Sequence, residues 1–331
     1  MINRRTLLLG SLASVGAIAS LSACAPRTPE PGSGKVTVGL TYIPNVQFSA
    51  FYLGVSAGIF ERHGLDVTLR HHGQQEDVFG AVLGGQEDIV FASADEATVA
   101  AARGQELRTF AVSYQTYPIQ VLGRADLTID PAGGLEVLKG HTLGIPGHFG
   151  SSYYAALAAI HKAGLSEADV ELVDIGYTGI SALTGEKVDF IMGFSNNELV
   201  QLESQGLGGT VIPVFDADAP TLVGPSLVTV GTRNSDDVLR ALAAGMKEAE
   251  EAILADPQAA LDATAEQVPA MADPVQRESA AKVLEATSQL WLRNGKVDVS
   301  VDPAAFERMG TFLAEAGIIE APPEKFYLQL G

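Results

Sequence analysis

Ala57-Gly58-Ile59-Phe60-Glu61-Arg62-His63-Gly64-Leu65-Asp66-Val67 is echoed further along the chain by Ala158-Ala159-Ile160-His161-Lys162-Ala163-Gly164-Leu165, with Val170-Glu171-Leu172 following. Each copy reads as part of a strand-helix unit. Leu83-Gly84-Gly85-Gln86-Glu87-Asp88-Ile89-Val90-Phe91 likewise returns as Leu183-Thr184-Gly185-Glu186-Lys187-Val188-Asp189-Phe190-Ile191-Met192. A period of about a hundred residues is a domain, not a solenoid unit. The echo therefore predicts two similar α/β lobes whose strand ends face each other across a cleft, where ligands of open α/β sheets sit.

Around these copies, apolar runs at 35–42, 65–70, 89–93, 107–113 and 119–124 alternate with stretches of helical spacing. That alternation predicts largely parallel sheets covered by helices on both faces. Beyond Gly224-Pro225-Ser226 and a strand at 227–230, the chain turns helical at 236–254, 257–267, 274–292 and 303–316. Ser235 caps the first of these, and Pro257, Pro274 and Pro303 follow Asp256, Asp273 and Asp302 at first helical positions. Glu248, Glu250 and Glu251 are read as a solvated helix face. The expected organisation is a signal peptide at 1–23, a tether at 24–34, lobe one at 35–120, lobe two at 121–224, and a return to lobe one with the C-terminal helices at 225–331.

The start of the chain predicts the compartment. Arg4 and Arg5 precede an apolar run at 7–21, which is shorter than the roughly 20 residues needed to span a bilayer. It ends in Leu21-Ser22-Ala23-Cys24, which looks like a bacterial lipoprotein box. Cys24 is expected to be lipidated, anchoring the protein outside the cytoplasm after export by the general secretory route or, given the paired arginines, the twin-arginine route. Three prolines and two glycines at 25–34 make a tether. Loss of 1–23 with two arginines takes the net charge from −19 to −21. Such a surface repels phosphate backbones, so nucleic acid is excluded as a partner. With Cys24 the sole cysteine, no thiolate remains for a cluster, a disulfide or catalysis.

Tyr42-Ile43-Pro44-Asn45-Val46-Gln47-Phe48-Ser49-Ala50-Phe51-Tyr52-Leu53-Gly54, followed by Ala57-Gly58-Ile59-Phe60 and Gly64-Leu65-Asp66-Val67, resembles the opening motif of the NMT1/THI5-like substrate-binding proteins. The resemblance continues through 84–94 and from Gly144-Ile145-Pro146-Gly147 to Ser151-Ser152-Tyr153. It implies a type II periplasmic-binding fold with a hinge, and delivery of a small-molecule ligand to an ABC permease and its ATPase by a monomer. Tyr42 with Pro44-Asn45 is similar to a pyrimidine-precursor branch; Ile43 with Val46-Gln47-Phe48 is similar to a riboflavin-binding branch. A sulfonate- or nitrate-type binder is the alternative. The eukaryotic pyrimidine synthases of this family carry a cysteine-rich motif and an active-site lysine, and this chain lacks the cysteines, so an enzyme is not expected and no cofactor is implied.

The cleft walls are expected at 42–48, 93–96, 114–118, 146–153, 176–178 and 194–198, which are rich in Tyr and Phe and contain no Lys or Arg. Sulfonate, nitrate or phosphate is usually met by such cations, although the helix start at Gly150-Ser151-Ser152 offers backbone N–H groups. Tyr42, Phe48, Tyr114, Phe149, Tyr177 and Phe194 suit a planar heterocycle by offset stacking. Asp95, Glu96 and Glu198 can accept from ring N–H groups, and Asn45, Gln47, Ser93, Gln115, His148, Ser151, Asn196 and Asn197 can orient the ligand. Core packing is open for Tyr42 and Phe48, helix capping for Asn45 and Asp95, and a purely dipolar role for Glu198. Trp291, the single tryptophan, either approaches the cleft or lies in the core. His71 and His72 point to opposite strand faces, so no metal site is expected from them.

Overall fold

The computed structural model describes residues 34–73, 76–127, 129–216 and 220–330. The expected signal stretch, Cys24 and nearly all of the tether lie outside the described residues. Strands and helices run β1 (Lys35–Leu40), α1 (Ser49–Ser56), α2 (Ile59–Arg62), β2 (Asp66–His71), α3 (Gly80–Leu83), β3 (Ile89–Ser93), α4 (Ala94–Ala102), β4 (Leu107–Val112) and β5 (Ile119–Gly123). They continue with β6 (Thr142–Ile145), α5 (Gly150–Lys162), β7 (Glu171–Asp174), α6 (Gly179–Thr184), β8 (Phe190–Phe194), α7 (Glu198–Ser204), β9 (Val211–Pro213) and β10 (Pro225–Val230). The chain closes with α8 (Asp236–Ala255), α9 (Pro257–Gln267), α10 (Pro274–Leu290), the hairpin β11 (Leu292–Arg293) and β12 (Lys296–Val297), and α11 (Pro303–Glu315).

Two five-stranded sheets have orders β2-β1-β3-β10-β4 and β7-β6-β8-β5-β9. They are the same sheet built twice. In the first, β10 runs antiparallel to β3 and β4; in the second, β5 runs antiparallel to β8 and β9. The reversed strand in each sheet is the one that has just crossed from the other. This is the two-lobed periplasmic-binding architecture, with two connections between lobes at the β4–β5 and β9–β10 segments.

The echo in the sequence corresponds to shared local chemistry. Leu65 N–H donates to the Phe60 carbonyl and Leu165 N–H to the Ile160 carbonyl, a six-residue helix stop made possible by the left-handed Gly64 (φ +80°) and Gly164 (φ +67°). Asp88 accepts from Thr37 N–H at 2.7 Å and Asp189 from Thr142 N–H at 3.1 Å, so an equivalent carboxylate ties β1 to β3 in lobe one and β6 to β8 in lobe two.

The C-terminal helices begin where the capping signals lie. Ser235, Asp256, Asp273 and Asp302 each accept a first-turn N–H. Helices α8, α9 and α10 pack on the lobe-one core, whereas α11 buries Phe306, Met309 and Leu313 in a cluster shared with lobe two.

One expectation is corrected here. Glu248 is half-buried and paired with Arg62 and His63, and Glu251 is exposed and paired with Lys247, but Glu250 is fully buried and accepts from the Ser113 hydroxyl. Helical spacing puts Glu250 on the buried face with Met246, Ala249 and Ile253. Burial pushes its carboxyl well above the usual range.

Candidate functional site

The carboxyl ends of β1, β3, β6, β7 and β8 and the starts of α4, α5, α6 and α7 enclose a cavity of about 190 Å³ between the lobes. From lobe one, Tyr42, Gln47, Phe48, Ser93, Glu96 and Tyr114 reach its wall. Lobe two contributes Phe149, Ser151, Tyr177, Phe194, Asn197 and Glu198. Among the described residues, no Lys, Arg or His lines it.

The loop carrying Tyr42 is held by a relay of hydrogen bonds. Asn45 N–H donates to the Tyr52 hydroxyl (3.3 Å), which lies 3.0 Å from His71 Nε2, while His71 Nδ1 lies 2.9 Å from the Tyr42 carbonyl. Because a carbonyl only accepts, Nδ1 carries the proton and Nε2 accepts from Tyr52. Burial lowers the His71 pKa, which favours this neutral form. Phe48 packs edge-on against His71 and Phe91, and is itself nearly buried while still touching the cavity. The Tyr42 and Tyr177 rings meet across the cleft with centroids 4.6 Å apart. The lobes are thus in aromatic contact over the cavity.

Two carboxyls face this space. Glu198 accepts from Phe194 N–H (2.9 Å) and Asn197 Nδ2 (3.1 Å), yet burial still pushes its pKa up. Glu96 is pushed up to about 8, chiefly by burial and then by neighbouring Asp95, against the opposing pull of nearby Ser151. Burial also raises Tyr42 and Tyr114, so both phenols are protonated donors.

Six of the residues read from the sequence as candidates lie elsewhere. Asn45 caps the short turn Val46–Phe48 through Gln47 N–H (3.0 Å). Asp95 is fully buried, accepting from the Tyr117 hydroxyl (2.7 Å) and Glu96 N–H (2.6 Å); burial raises it to about 6. Asn196 is buried between the Tyr114 hydroxyl (3.4 Å) and Thr287 Oγ1 (2.8 Å). His148 is exposed and sits 2.9 Å from Asp174. Trp291 ends α10 and is 1% exposed in the lobe-one core, and Gln115 donates to the Val112 and Asp298 carbonyls. Gln115 lines a second cavity of about 370 Å³, bounded by Tyr114 to Tyr117, Leu222 to Val223, Leu292 to Asn294 and the start of α11.

The cleft also takes in Thr41, Phe91, Ile175 and Met192, which the sequence reading missed. Phe91 and Met192 sit within strands, where period-two alternation marks both faces of a buried strand as apolar and gives no sign of which meets a ligand. Thr41 adjoins Tyr42 and donates to the Phe91 carbonyl (2.9 Å); its place at the end of β1 was the available signal. Among the described residues no cluster of His, Cys, Asp or Glu could hold a metal ion, and no helix is long and apolar enough to cross a membrane.

The sequence profile described as NMT1/THI5 like matches residues 45–260. The riboflavin-binding protein RibY of Chloroflexus aurantiacus is 30% identical over 346 aligned residues, covering 97% of this chain and 95% of RibY. The fold superposes on the periplasmic aliphatic sulphonate-binding protein SsuA of Escherichia coli with a TM-score of 0.68 at 15% identity, over 89% of this chain and 92% of SsuA. A zinc-bound ligand-binding component of an ABC-type import system from Staphylococcus aureus gives 0.66 at 13% identity, over 89% and 96%.

Proposed function

Because this chain belongs to the NMT1/THI5-like family, we propose that it is the substrate-binding protein of an ABC importer. Its ligand is a planar heterocycle, with riboflavin and its isoalloxazine relatives first and thiamine pyrimidine precursors second. The observation that carries this reading is the cavity itself: aromatic rings from both lobes, two carboxyls and, among the described residues, no cationic side chain on its lining. The similarity to RibY over nearly the whole chain supports the flavin over the smaller pyrimidine.

A cavity of about 190 Å³ is below the roughly 300–1,000 Å³ of typical small-molecule pockets. Entry therefore requires the lobes to part, breaking the Tyr42–Tyr177 contact, with rotation at the β4–β5 and β9–β10 crossings. The ligand then stacks on these rings, its N–H groups donate to Glu96 and Glu198, and Gln47 and Asn197 orient it. Closure over the ligand shifts the population toward the form that docks on a permease. The protein acts as a monomeric binder without chemistry, held at the outer face of a membrane through lipidated Cys24. A Cys24→Ala protein that remained membrane-bound would remove the anchoring part of this reading.

The test is thermal unfolding with riboflavin, the hydroxymethyl and formylamino pyrimidines, thiamine and a series of alkyl sulfonates. A ligand present at a hundred times its dissociation constant adds about 2.7 kcal/mol of stability. Stabilisation by a heterocycle is expected; stabilisation by sulfonates alone would overturn the ligand class.

A further inference from the structure

The start of α7 in lobe two is docked on α10 in lobe one, beside the cleft. Asn196 Nδ2 lies 2.8 Å from Thr287 Oγ1 on α10 and 3.4 Å from the hydroxyl of Tyr114, which stands where the chain first crosses between the lobes. The Thr287 hydroxyl donates to the Val283 carbonyl of its own helix (2.7 Å), so its oxygen accepts from the amide. Both hydrogens of one lobe-two amide are therefore given to lobe one. Asn196, Thr287 and Tyr114 are all buried, where hydrogen bonds are stronger than in water. Near the end of α10, the Leu290 carbonyl accepts from Gln115 N–H of the crossing (2.6 Å), and Val200 of α7 packs against the lobe-one core. Helix α10 thus holds the crossing and the opposite lobe at once.

The next two residues in the chain, Asn197 and Glu198, stand on the cavity wall, whereas Asn196 and Thr287 do not. Resting on the reading of this cavity as the ligand site, we propose that Asn196 and Thr287 form an interlobe clasp that gates entry to the cleft and release from it. Because both partners are protein groups off the wall, their bond favours the closed lobes by the same factor with or without a ligand. A ligand therefore waits for the clasp to part on the way in and again on the way out. The clasp is releasable: Asn196 Oδ1 is buried with no partner among the described residues, and opening returns that oxygen to water, which offsets part of the loss.

The experiment compares the full chain with Thr287→Val, Thr287→Ser and Asn196→Ala. Stopped-flow fluorescence with riboflavin reads association and release. Thr287→Val keeps the shape and loses the acceptor; it is expected to speed both rates about three- to tenfold and to leave the dissociation constant within about twofold. Thr287→Ser should restore the wild-type rates. Unchanged rates in Thr287→Val and Asn196→Ala overturn the proposal. Faster release alone also overturns it, because that would make the loss one of ligand contact and not of closure. Small-angle X-ray scattering of the ligand-free proteins reads the clasp independently of any ligand. A larger radius of gyration in Thr287→Val and Asn196→Ala than in the wild type and Thr287→Ser is expected, and equal radii overturn the proposal. Riboflavin failing to bind the wild type would sink the proposed ligand and leave scattering to decide the clasp. Far-UV circular dichroism checks folding, and Asn196→Ala keeps the test informative if Thr287→Val destabilises.

Discussion

The interlobe cleft and the second cavity share one wall, Tyr114, and differ in charge. The cleft is aromatic, with Glu96 and Glu198 on its lining and, among the described residues, no cation; the second cavity has Arg293 and Arg308 on its rim with Asn294, Thr116 and Asp302. Both are bounded by segments that cross between the lobes. The chain therefore does place arginines beside a cavity at the hinge, and their absence from the cleft is local rather than a result of low basic content.

The contrast can be broken or sharpened by substitution. Trp291 is in the lobe-one core directly before Leu292 and Arg293 of the second cavity. Trp291→Ala should cost about 3–5 kcal/mol in denaturant unfolding, while the remaining folded protein keeps its heterocycle affinity; a large affinity loss at unchanged stability would move Trp291 into the site. Tyr42→Ala removes a ring from the cleft and should weaken heterocycle binding by about 10- to 100-fold, with little loss of stability. Unchanged affinity in titration would remove the aromatic wall from the account.

A pH series separates the two cavities by their titrating groups. Glu96 (to about 8) and Asp95 (to about 6) are raised mainly by burial, and the groups facing them are each other, Ser151, Tyr117, Tyr154 and Tyr177. The native state then holds protons that the unfolded chain has already lost, so stability falls as pH rises from about 4 to about 8. Melting temperature should decline across that window, and Glu96→Gln should flatten its upper part; an unaltered profile would contradict the buried carboxyl. The smallest effect is expected at Arg308→Ala, with heterocycle affinity within about twofold of the wild type. A much larger loss would couple the second cavity to binding.

The strand-helix alternation, the repeat and the helix starts were legible because they rest on local chemistry: glycine stops at 64 and 164, paired aspartates at 88 and 189, and Asp-Pro starts. The strand-end rule brought Tyr42, Glu96, Tyr177 and Glu198 to the cleft wall. Sequence position could not separate neighbours within a loop. Asp95 and Glu96 are adjacent, but helix geometry turns one to Tyr117 and the other to the cavity. Asn196 and Asn197 divide in the same way, between the interlobe contact with Thr287 and the cavity wall. Glu250 was misjudged because its acidic neighbours suggested a solvated face, whereas its partner Ser113 is distant in sequence.

The most direct measurement is isothermal titration of the purified protein with riboflavin beside ethanesulfonate at neutral pH. Saturable one-to-one binding of riboflavin with no heat from ethanesulfonate is the predicted result. Tight ethanesulfonate binding with no response to riboflavin or the pyrimidines would contradict a cleft built from aromatic walls for a planar heterocycle.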